Sequence, residues 1–179
     1  MTQPPVPGSD DWVRRWAIDA GSVTLQPVTR RIAHAVLDGG PITSTFEEGA
    51  LHERIPQAMG VAIRSIDSGA AAVLPTLCLI IRRAEGRIIG DIGTHGPPDS
   101  EGCVEIGYAL APSARGQGIV AAAVAALVRR LAAVPGIRSL TAVTAAENTA
   151  SRRLLERQGF HLTGPPPGTG EVRYTLSLG

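Results

Sequence analysis

The chain has 179 residues, 44% apolar and 18% charged, a balance that belongs to a globular protein of one domain and excludes a disordered chain. Its net charge of +1 supplies no electrostatic argument for nucleic acid or for an anionic membrane surface. All 17 cationic residues are Arg, which excludes a lysine nucleophile or Schiff base.

Two cysteines, Cys78 and Cys103, lie in apolar, strand-like runs without metal-ligand spacing and are expected to be buried free thiols. The start of the chain lacks a positive region followed by an apolar run, so no signal peptide is expected. No apolar stretch reaches the roughly 18 residues that span a bilayer. A soluble, cytoplasmic protein is expected, with no metal and no nucleic-acid or membrane partner.

Residues 1–9 are rich in Pro, Gly and Ser and read as a loose tail. Asp10–Ile18 is expected to form a short helix with Trp12 and Trp16 on one face, at i and i+4. Residues 1–20 form that tail, and residues 21–179 a single domain. Val23–Val28 alternates as a strand, and Thr29 caps a helix to about Leu37 that stops at Gly39-Gly40. The stretch from Ile42 to Met59 is poorly patterned, with a helix expected near Phe46–Glu53. Leu77–Arg83, a turn at Glu85-Gly86 and Arg87–Gly93 form a β-hairpin. A Gly/Pro/Asp-dense loop from His95 to Gly102 leads into the strand Cys103–Leu110. A helix from Gly118 runs to about Ala133 and stops before Pro135-Gly136. Arg138–Val143 is the next strand, and Asn148–Gln158 a helix ended by Gly159. Phe160–Thr163 and Val172–Leu178, joined by a turn at Pro165–Gly170, close the sheet. Strands that first pair antiparallel and then alternate with helices predict a mixed α/β sheet in one layer with helices on both faces.

The most informative stretch is Arg115-Gly116-Gln117-Gly118-Ile119-Val120, a glycine-rich turn between a strand and a helix. Such a turn offers unpaired N–H groups at the positive end of the helix dipole, where phosphate binds. Arg115 adds a charged donor. Read as Gly116, Gly118 and Ala121, the segment is also compatible with a dinucleotide fingerprint. That motif wants an acidic residue about 20 positions on, at the end of the next strand, and Arg138–Val143 has none there. Gly-Lys-Ser/Thr does not occur, which excludes a P-loop. A tight turn with no ligand is the plain alternative.

Arg115-Gly116-Gln117-Gly118-Ile119 resembles the Arg/Gln-x-x-Gly-x-Gly/Ala motif of the GNAT superfamily of acyl-CoA N-acyltransferases. Glu105-Ile106-Gly107-Tyr108 precedes it, Glu147-Asn148-Thr149-Ala150-Ser151 opens the following helix, and Leu155-Glu156-Arg157-Gln158-Gly159-Phe160 closes it. Together these resemble the branch containing the ribosomal-protein N-terminal acetyltransferases. The likeness covers residues 87–163 well, and the N-terminal third only through Leu25-Gln26-Pro27-Val28-Thr29. The last motif position, usually Gly or Ala, is Val120 here, a β-branched side chain that could crowd a pyrophosphate. The resemblance implies a mostly antiparallel mixed sheet with a splayed strand pair holding acyl-CoA. It implies that the backbone of Tyr108, Ala109, Leu110 and Ala111 pairs with the pantetheine arm. Arg115, Gly116, Gln117, Gly118, Ile119 and Val120 would hold the pyrophosphate, and Asn148 and Ser151 would touch the cofactor arm. Dimers among relatives make a homodimer an expectation by analogy.

Transfer from a thioester to an amine needs a base for the ammonium proton, donors at the oxyanion and an acid for the thiolate. Strand alternation puts Val104, Ile106, Tyr108 and Leu110 on one face and Glu105, Gly107 and Ala109 on the other. The small residues of the second face leave room for a ligand, with Glu105 at its edge as candidate base; its plain alternative is a solvated carboxylate. Ser151 matches the position this branch is thought to use to protonate the thiolate; its plain alternative is an exposed helix serine. Asn148 is equally a helix N-cap. Tyr108 is expected in the core. His95 either lines the acceptor pocket or is a surface residue, whereas His34, His52 and His161 read as structural. Arg152-Arg153 reads as a solvated helix face. The expected activity is acetyl-CoA-dependent acetylation of a primary amine, on a small molecule or a protein N-terminus. Asp91, Asp99 and Glu101 lean towards a small cationic amine. A non-catalytic acyl-CoA-binding module is the alternative, and a dinucleotide oxidoreductase a distant third.

Overall fold

The computed structural model describes residues 11–165 and 170–179. The tail at residues 1–9 and most of the turn between the last two strands lie outside them. Contacts divide the chain into two compact units, one holding the chain through Gly93 together with Tyr108–Ala123, the other Thr94–Gly107 with Val124–Gly179.

In the first unit, α1 (Asp11–Trp16) buries both Trp12 and Trp16, as their i, i+4 spacing requires. A short strand β1 (Ile18–Ala20), too brief to show a period, pairs antiparallel with β2 (Val23–Pro27). The alternation of β2 is read out directly, with Val23, Leu25 and Pro27 buried and Thr24 and Gln26 half-buried. The helix α2 (Arg30–Leu37) starts where Thr29 Oγ1 accepts the N–H of Ile32 at 3.2 Å. The helix expected near Phe46–Glu53 is displaced along the chain. Pro41–Thr45 is a 3-10 turn, and α3 begins only at Ile55 and runs to Asp67. Pro56 sets its first turn, and Ile55, Met59 and Ala62 form the buried stripe. The hairpin is as read, with β3 (Cys78–Arg82) antiparallel to β4 (Ile88–Thr94). Their register steps from Ile80↔Gly90 to Ile81↔Ile88, leaving Ile89 as the extra residue of a bulge. All seven residues of β4 are buried. Val28, Phe46, Ile55, Met59, Leu77, Leu79 and Ile88 form the centre of this unit's core. Each such side chain contributes about 1.5–3 kcal/mol when taken out of water.

The strand β5 (Cys103–Leu110) and the helix α4 (Ile119–Ala132) run through both units. The helix buries Ile119, Ala123, Leu127 and Leu131 at every fourth position. In the second unit, β5 pairs in parallel with β6 (Ser139–Ala145), from Cys103↔Ser139 to Ile106↔Ala142. The parallel register stops there, while β6 continues to Ala145 against β8 (Glu171–Ser177). Between them in sequence come α5 (Thr149–Arg157) and β7 (His161–Gly164), the latter antiparallel to β8. The hydrogen-bonded order is β1-β2-β3-β4-β5-β6-β8-β7, an eight-stranded, mostly antiparallel mixed sheet.

Burial separates the two thiols. Cys78 is buried on β3, and desolvation pushes its thiol up to about 12. Cys103 is half-buried, its Sγ 3.8 Å from Thr141 Oγ1, so the expectation of two buried thiols holds only for Cys78. Because the thiolate is the reacting form, Ellman's reagent at about pH 8 is expected to titrate Cys103 in the native protein and both thiols only in denaturant. A Cys103→Ser variant should show no fast-reacting thiol; rapid labelling of that variant would contradict the packing of β3.

Candidate functional site

The sequence-predicted residues fall into two groups, one in each unit. In the first, the 3-10 turn Pro112–Ala114 ends β5 and leads to Arg115. Gly116 and Gly118 sit at φ of +73° and +74°, the left-handed region that a residue with a Cβ adopts at a cost of roughly 1–2 kcal/mol. Between them the chain turns into α4, where Ala122 N–H bonds back to Gly118 O at 3.1 Å. The N–H groups of the first turn have no partner within the helix. Gly116, Gln117 and Gly118 are exposed, whereas Ile119 is buried and Val120 half-buried.

The side chains of this turn point back into the protein. Arg115 donates from Nε and Nη2 to Leu110 O at 3.3 and 3.2 Å, covering the end of β5. Gln117 Nε2 donates to Ser113 O at 2.7 Å, and its Oε1 accepts from Arg82 Nη1 at 3.2 Å. Ser113 Oγ donates to Glu47, whose other carboxylate oxygen lies 3.6 Å from Arg82. The turn is thus braced from β3 and from the segment before α3. That segment is itself anchored: Arg87 donates to Ser44 O and Phe46 O at 2.8 and 2.7 Å, and Glu47 N–H to Ile88 O. A Cβ at Gly49 would lie 2.8 Å from Pro112 Cδ.

Tyr108, Ala109 and Leu110 are half-buried, so the expected core position of Tyr108 is not taken up. Ala111 N–H donates to Ile89 O at 2.8 Å and Ala111 O accepts from Ala114, which uses both backbone groups of that residue. His52, read from the sequence as structural, and Asp91, read as leaning towards a cationic amine, meet in this unit as well. His52 Nε2 lies 2.7 Å from Asp91 Oδ2, with 24% and 12% of the side chains exposed, so His52 has an ionic partner 39 residues away.

In the second unit, Glu105 and His95 come together, Glu105 Oε1 lying 2.7 Å from His95 Nδ1. A Cβ on Gly107 would be 2.6 Å from His95 Nε2. The room left by that glycine therefore holds the imidazole, a correction to the expectation of open space on this face. Asp99 is not free to meet a substrate cation through Oδ1, which accepts the N–H groups of Glu101 and Cys103, each at 2.9 Å.

Asn148 is the N-cap of α5, its Oδ1 accepting Ser151 N–H at 3.1 Å; Ser151 itself is half-buried. Arg152, expected on a solvated face, is instead tied down. Its Nη1 donates to Ala146 O at 2.9 Å and its Nε to the hydroxyl of fully buried Tyr174 at 3.2 Å. Tyr174 in turn donates to Glu156 at 2.8 Å. The hydrogen bond to the Tyr174 hydroxyl raises Arg152 above the ordinary guanidinium value, and the Glu156 carboxylate adds to this. Among the described residues no cluster of three or more His, Cys, Asp or Glu could hold a metal ion.

The residues the sequence reading missed are Arg82, Glu47, Ser113 and Tyr174. Their partners lie far away in sequence, and no local pattern marks them.

A strand, a glycine turn with positive φ and the helix it opens form a strand–turn–helix unit of an α/β protein. The Acetyltransferase (GNAT) domain family matches residues 52–161, and the chain belongs to the GNAT acetyltransferase family. A protein of Bacillus subtilis (strain 168), named uncharacterized N-acetyltransferase YjdG, is 31% identical over 84 residues, which are 47% of this chain and 50% of that protein. The match thus spans half the length of that relative. Among solved structures, the ribosomal-protein-S5-alanine acetyltransferase of Vibrio fischeri superposes with a TM-score of 0.69 at 12% identity, covering 90% of this chain and 96% of that one. The microcin C7 self immunity acetyltransferase MccE, in complex with acetyl-CoA and AMP, gives 0.66 at 18% identity, over 94% and 99% of the two chains. The ribosomal L7/L12 alpha-N-protein acetyltransferase RimL, in complex with coenzyme A, gives 0.66 at 18% identity, over 90% and 97%. At these identities the likeness establishes the fold.

Replacing Asn148 with Ala removes the side-chain acceptor at the start of α5 and is expected to cost about 1 kcal/mol. Denaturant titration measures it; an unchanged midpoint would mean that the cap contributes nothing.

Proposed function

We propose that this protein is an acetyl-CoA-dependent N-acetyltransferase that moves an acetyl group to a primary amine. The observation that carries the reading is the backbone of Arg115–Val120, with Gly116 and Gly118 at positive φ at the start of α4, in a chain of the GNAT family. The exposed N–H groups of this turn suit a pyrophosphate, and Arg115 supplies a guanidinium beside them. Gln117 serves by its backbone, since its side chain is spent on Ser113 and Arg82. The half-buried stretch of Tyr108, Ala109 and Leu110 suits an acyl arm that pairs with its backbone as an added strand. Two similar structures carry acetyl-CoA or coenzyme A, which supports the same co-substrate here. Acetyl-CoA would bring an activated thioester; the chain's own work is to orient it, take a proton from the ammonium and give one to the leaving thiolate. Glu105 is the carboxylate we place at the first task, directly or through a group it binds, and Ser151 the hydroxyl at the second, with Asn148 holding the turn before it.

The acceptor is an amine of either class first considered. Two of the three acids that lean towards a small cation are engaged, Asp91 by His52 and Asp99 by backbone N–H groups. The similar structures named for ribosomal proteins support a protein acceptor as one of the two. We take residues 21–179 as one catalytic domain, because β5 and α4 each run through both compact units. Two unpaired thiols fit the reducing cytoplasm. No described helix is long and apolar enough to cross a membrane.

Calorimetric titration with coenzyme A and acetyl-CoA is expected to show micromolar binding. Gly116→Ala and Gly118→Ala should each raise Kd about tenfold, the equivalent of roughly 1.4 kcal/mol. Thiol release in the presence of an amine panel and of N-terminal peptides then identifies the acceptor. Binding without amine-dependent release would identify an acyl-CoA-binding module in place of an enzyme, and no binding at millimolar cofactor would remove the proposal altogether.

Arg82 offers a separate check on how the turn is held. Arg82→Met unties Gln117 and is expected to raise the Kd of coenzyme A about three- to tenfold, with the fold retained by circular dichroism. An unchanged Kd would show that the turn holds its shape without that brace.

A further inference from the structure

The pair His95–Glu105 assigns the proton-accepting atom of the reaction differently from the carboxylate alone. We infer that His95, through Nε2, accepts the proton from the amine, and that Glu105 is the positioning residue that orients the imidazole and offsets the charge it gains. This rests on the N-acetyltransferase reading above.

The argument begins with the tautomer. A carboxylate bound at Nδ1, here at 2.7 Å, fixes the ring proton on that nitrogen, because an ionised carboxylate can only accept. The neutral ring then carries its lone pair on Nε2. A carboxylate behind an imidazole also stabilises the imidazolium that forms when Nε2 takes a proton.

Geometry fixes where that atom stands. His95 follows directly after β4, and its N–H bonds to Glu105 O at 2.8 Å, so the two residues face each other across the sheet ladder. The imidazole lies across β5 at Gly107, with Nε2 only 2.6 Å from where a Cβ would be, and glycine is the one residue that admits the ring. Gly107 and Glu105 share a strand face, so the ring covers the small-residue surface that opens beyond the carboxylate. Exposure completes the case. The His95 side chain is 60% exposed and that of Glu105 35%, so the imidazole is the more open of the two to substrate and to the solvent that must remove the proton each cycle. Glu105 is the charged group bound to the ring; Asp99, on the preceding loop, is held by the N–H groups of Glu101 and Cys103.

The step balances. His95 Nε2 takes one proton from the substrate ammonium. The freed nitrogen lone pair forms the C–N bond at the acetyl carbonyl, the C–S bond breaks, and the thiolate leaves with its electron pair and takes the nitrogen's second surplus proton, relayed by Ser151, to become the thiol. The imidazolium returns its proton to water, and Glu105 remains ionised throughout.

The test is steady-state acetyl transfer by His95→Gln, Glu105→Gln, the double variant and Gly107→Ala, with acetyl-CoA binding followed by calorimetry. We expect His95→Gln to lower kcat/KM for the amine about 100-fold while the Kd of acetyl-CoA stays within twofold. Its residual rate should climb with pH until the free amine needs no base. Glu105→Gln should lose about tenfold, and the double variant no more than His95→Gln alone, since the two act as one unit. Gly107→Ala should displace the ring and reproduce the His95→Gln profile. Nitrogen NMR of the imidazole reports the tautomer whatever the activity, and the proton is expected on Nδ1. Wild-type rates and pH profile in His95→Gln beside a 100-fold loss in Glu105→Gln would overturn the inference and return the role to the carboxylate, as would a proton on Nε2. A wild-type protein that transfers no acetyl group to any amine would instead overturn the N-acetyltransferase reading, and this inference with it.

Discussion

Along β4 main chain packs on main chain with no side chain between. A Cβ at Gly90 would lie 2.2 Å from Ala109 O, and one at Gly93 2.0 Å from Thr76 O. A carbonyl cannot swing aside as a side-chain tip can, so these two positions admit glycine alone if the strands are to stay at this separation. What surrounds the strand takes its position from that approach. Ile88 receives the segment containing Glu47, the bulge at Ile89 presents a carbonyl to Ala111, and Asp91 meets His52. Because β4 is buried along its whole length, errors in that spacing have no solvent-facing outlet.

The charged residues inside the first unit work as braces, and the exclusive use of arginine suits them to it. Arg87 spans two carbonyls, and Arg82 reaches Gln117, Glu47 and, at 3.3 Å, Glu85. A planar fork of donors can bridge several acceptors at once, where an ammonium acts as a point charge. The glycine turn is thus preorganised from behind, with the side chains of Arg115 and Gln117 engaged and the backbone of Gly116–Gly118 exposed, which suits the proposed pyrophosphate site. Preorganisation of this kind lowers the ordering cost that binding must otherwise meet.

Two histidine–carboxylate pairs with the same 2.7 Å separation serve different ends because their exposure differs. The His52–Asp91 pair is largely buried and joins the segment before α3 to β4. A half of such a pair left alone would be an uncompensated buried group. The His95–Glu105 pair is open to solvent at the end of that strand, where protons can come and go. The same pairing is a clamp in one setting and, as inferred for His95, an acid–base device in the other.

Local pattern was sufficient for much of this protein. The strand Cys103–Leu110, the glycine turn, the helix after it, the Thr29 and Asn148 caps and the hairpin all follow from backbone preferences acting over a few residues. It failed where the signal is short or shared. The strand Ile18–Ala20 has too few residues for a period, and the start of α3 is set by Pro56 beyond a polar, turn-rich stretch. The order of motifs was legible as a GNAT chain for the same local reason, since each motif is a turn or cap with its own backbone demand. Side-chain partnerships were not legible. Arg82 with Gln117, Ser113 with Glu47, His52 with Asp91 and Tyr174 with Arg152 join residues 22 to 66 positions apart. Nor did alternation along β5 reveal that the space over Gly107 belongs to His95. Propensity and periodicity act along the chain, whereas a hydrogen bond between distant residues exists only once the sheet has brought them within reach.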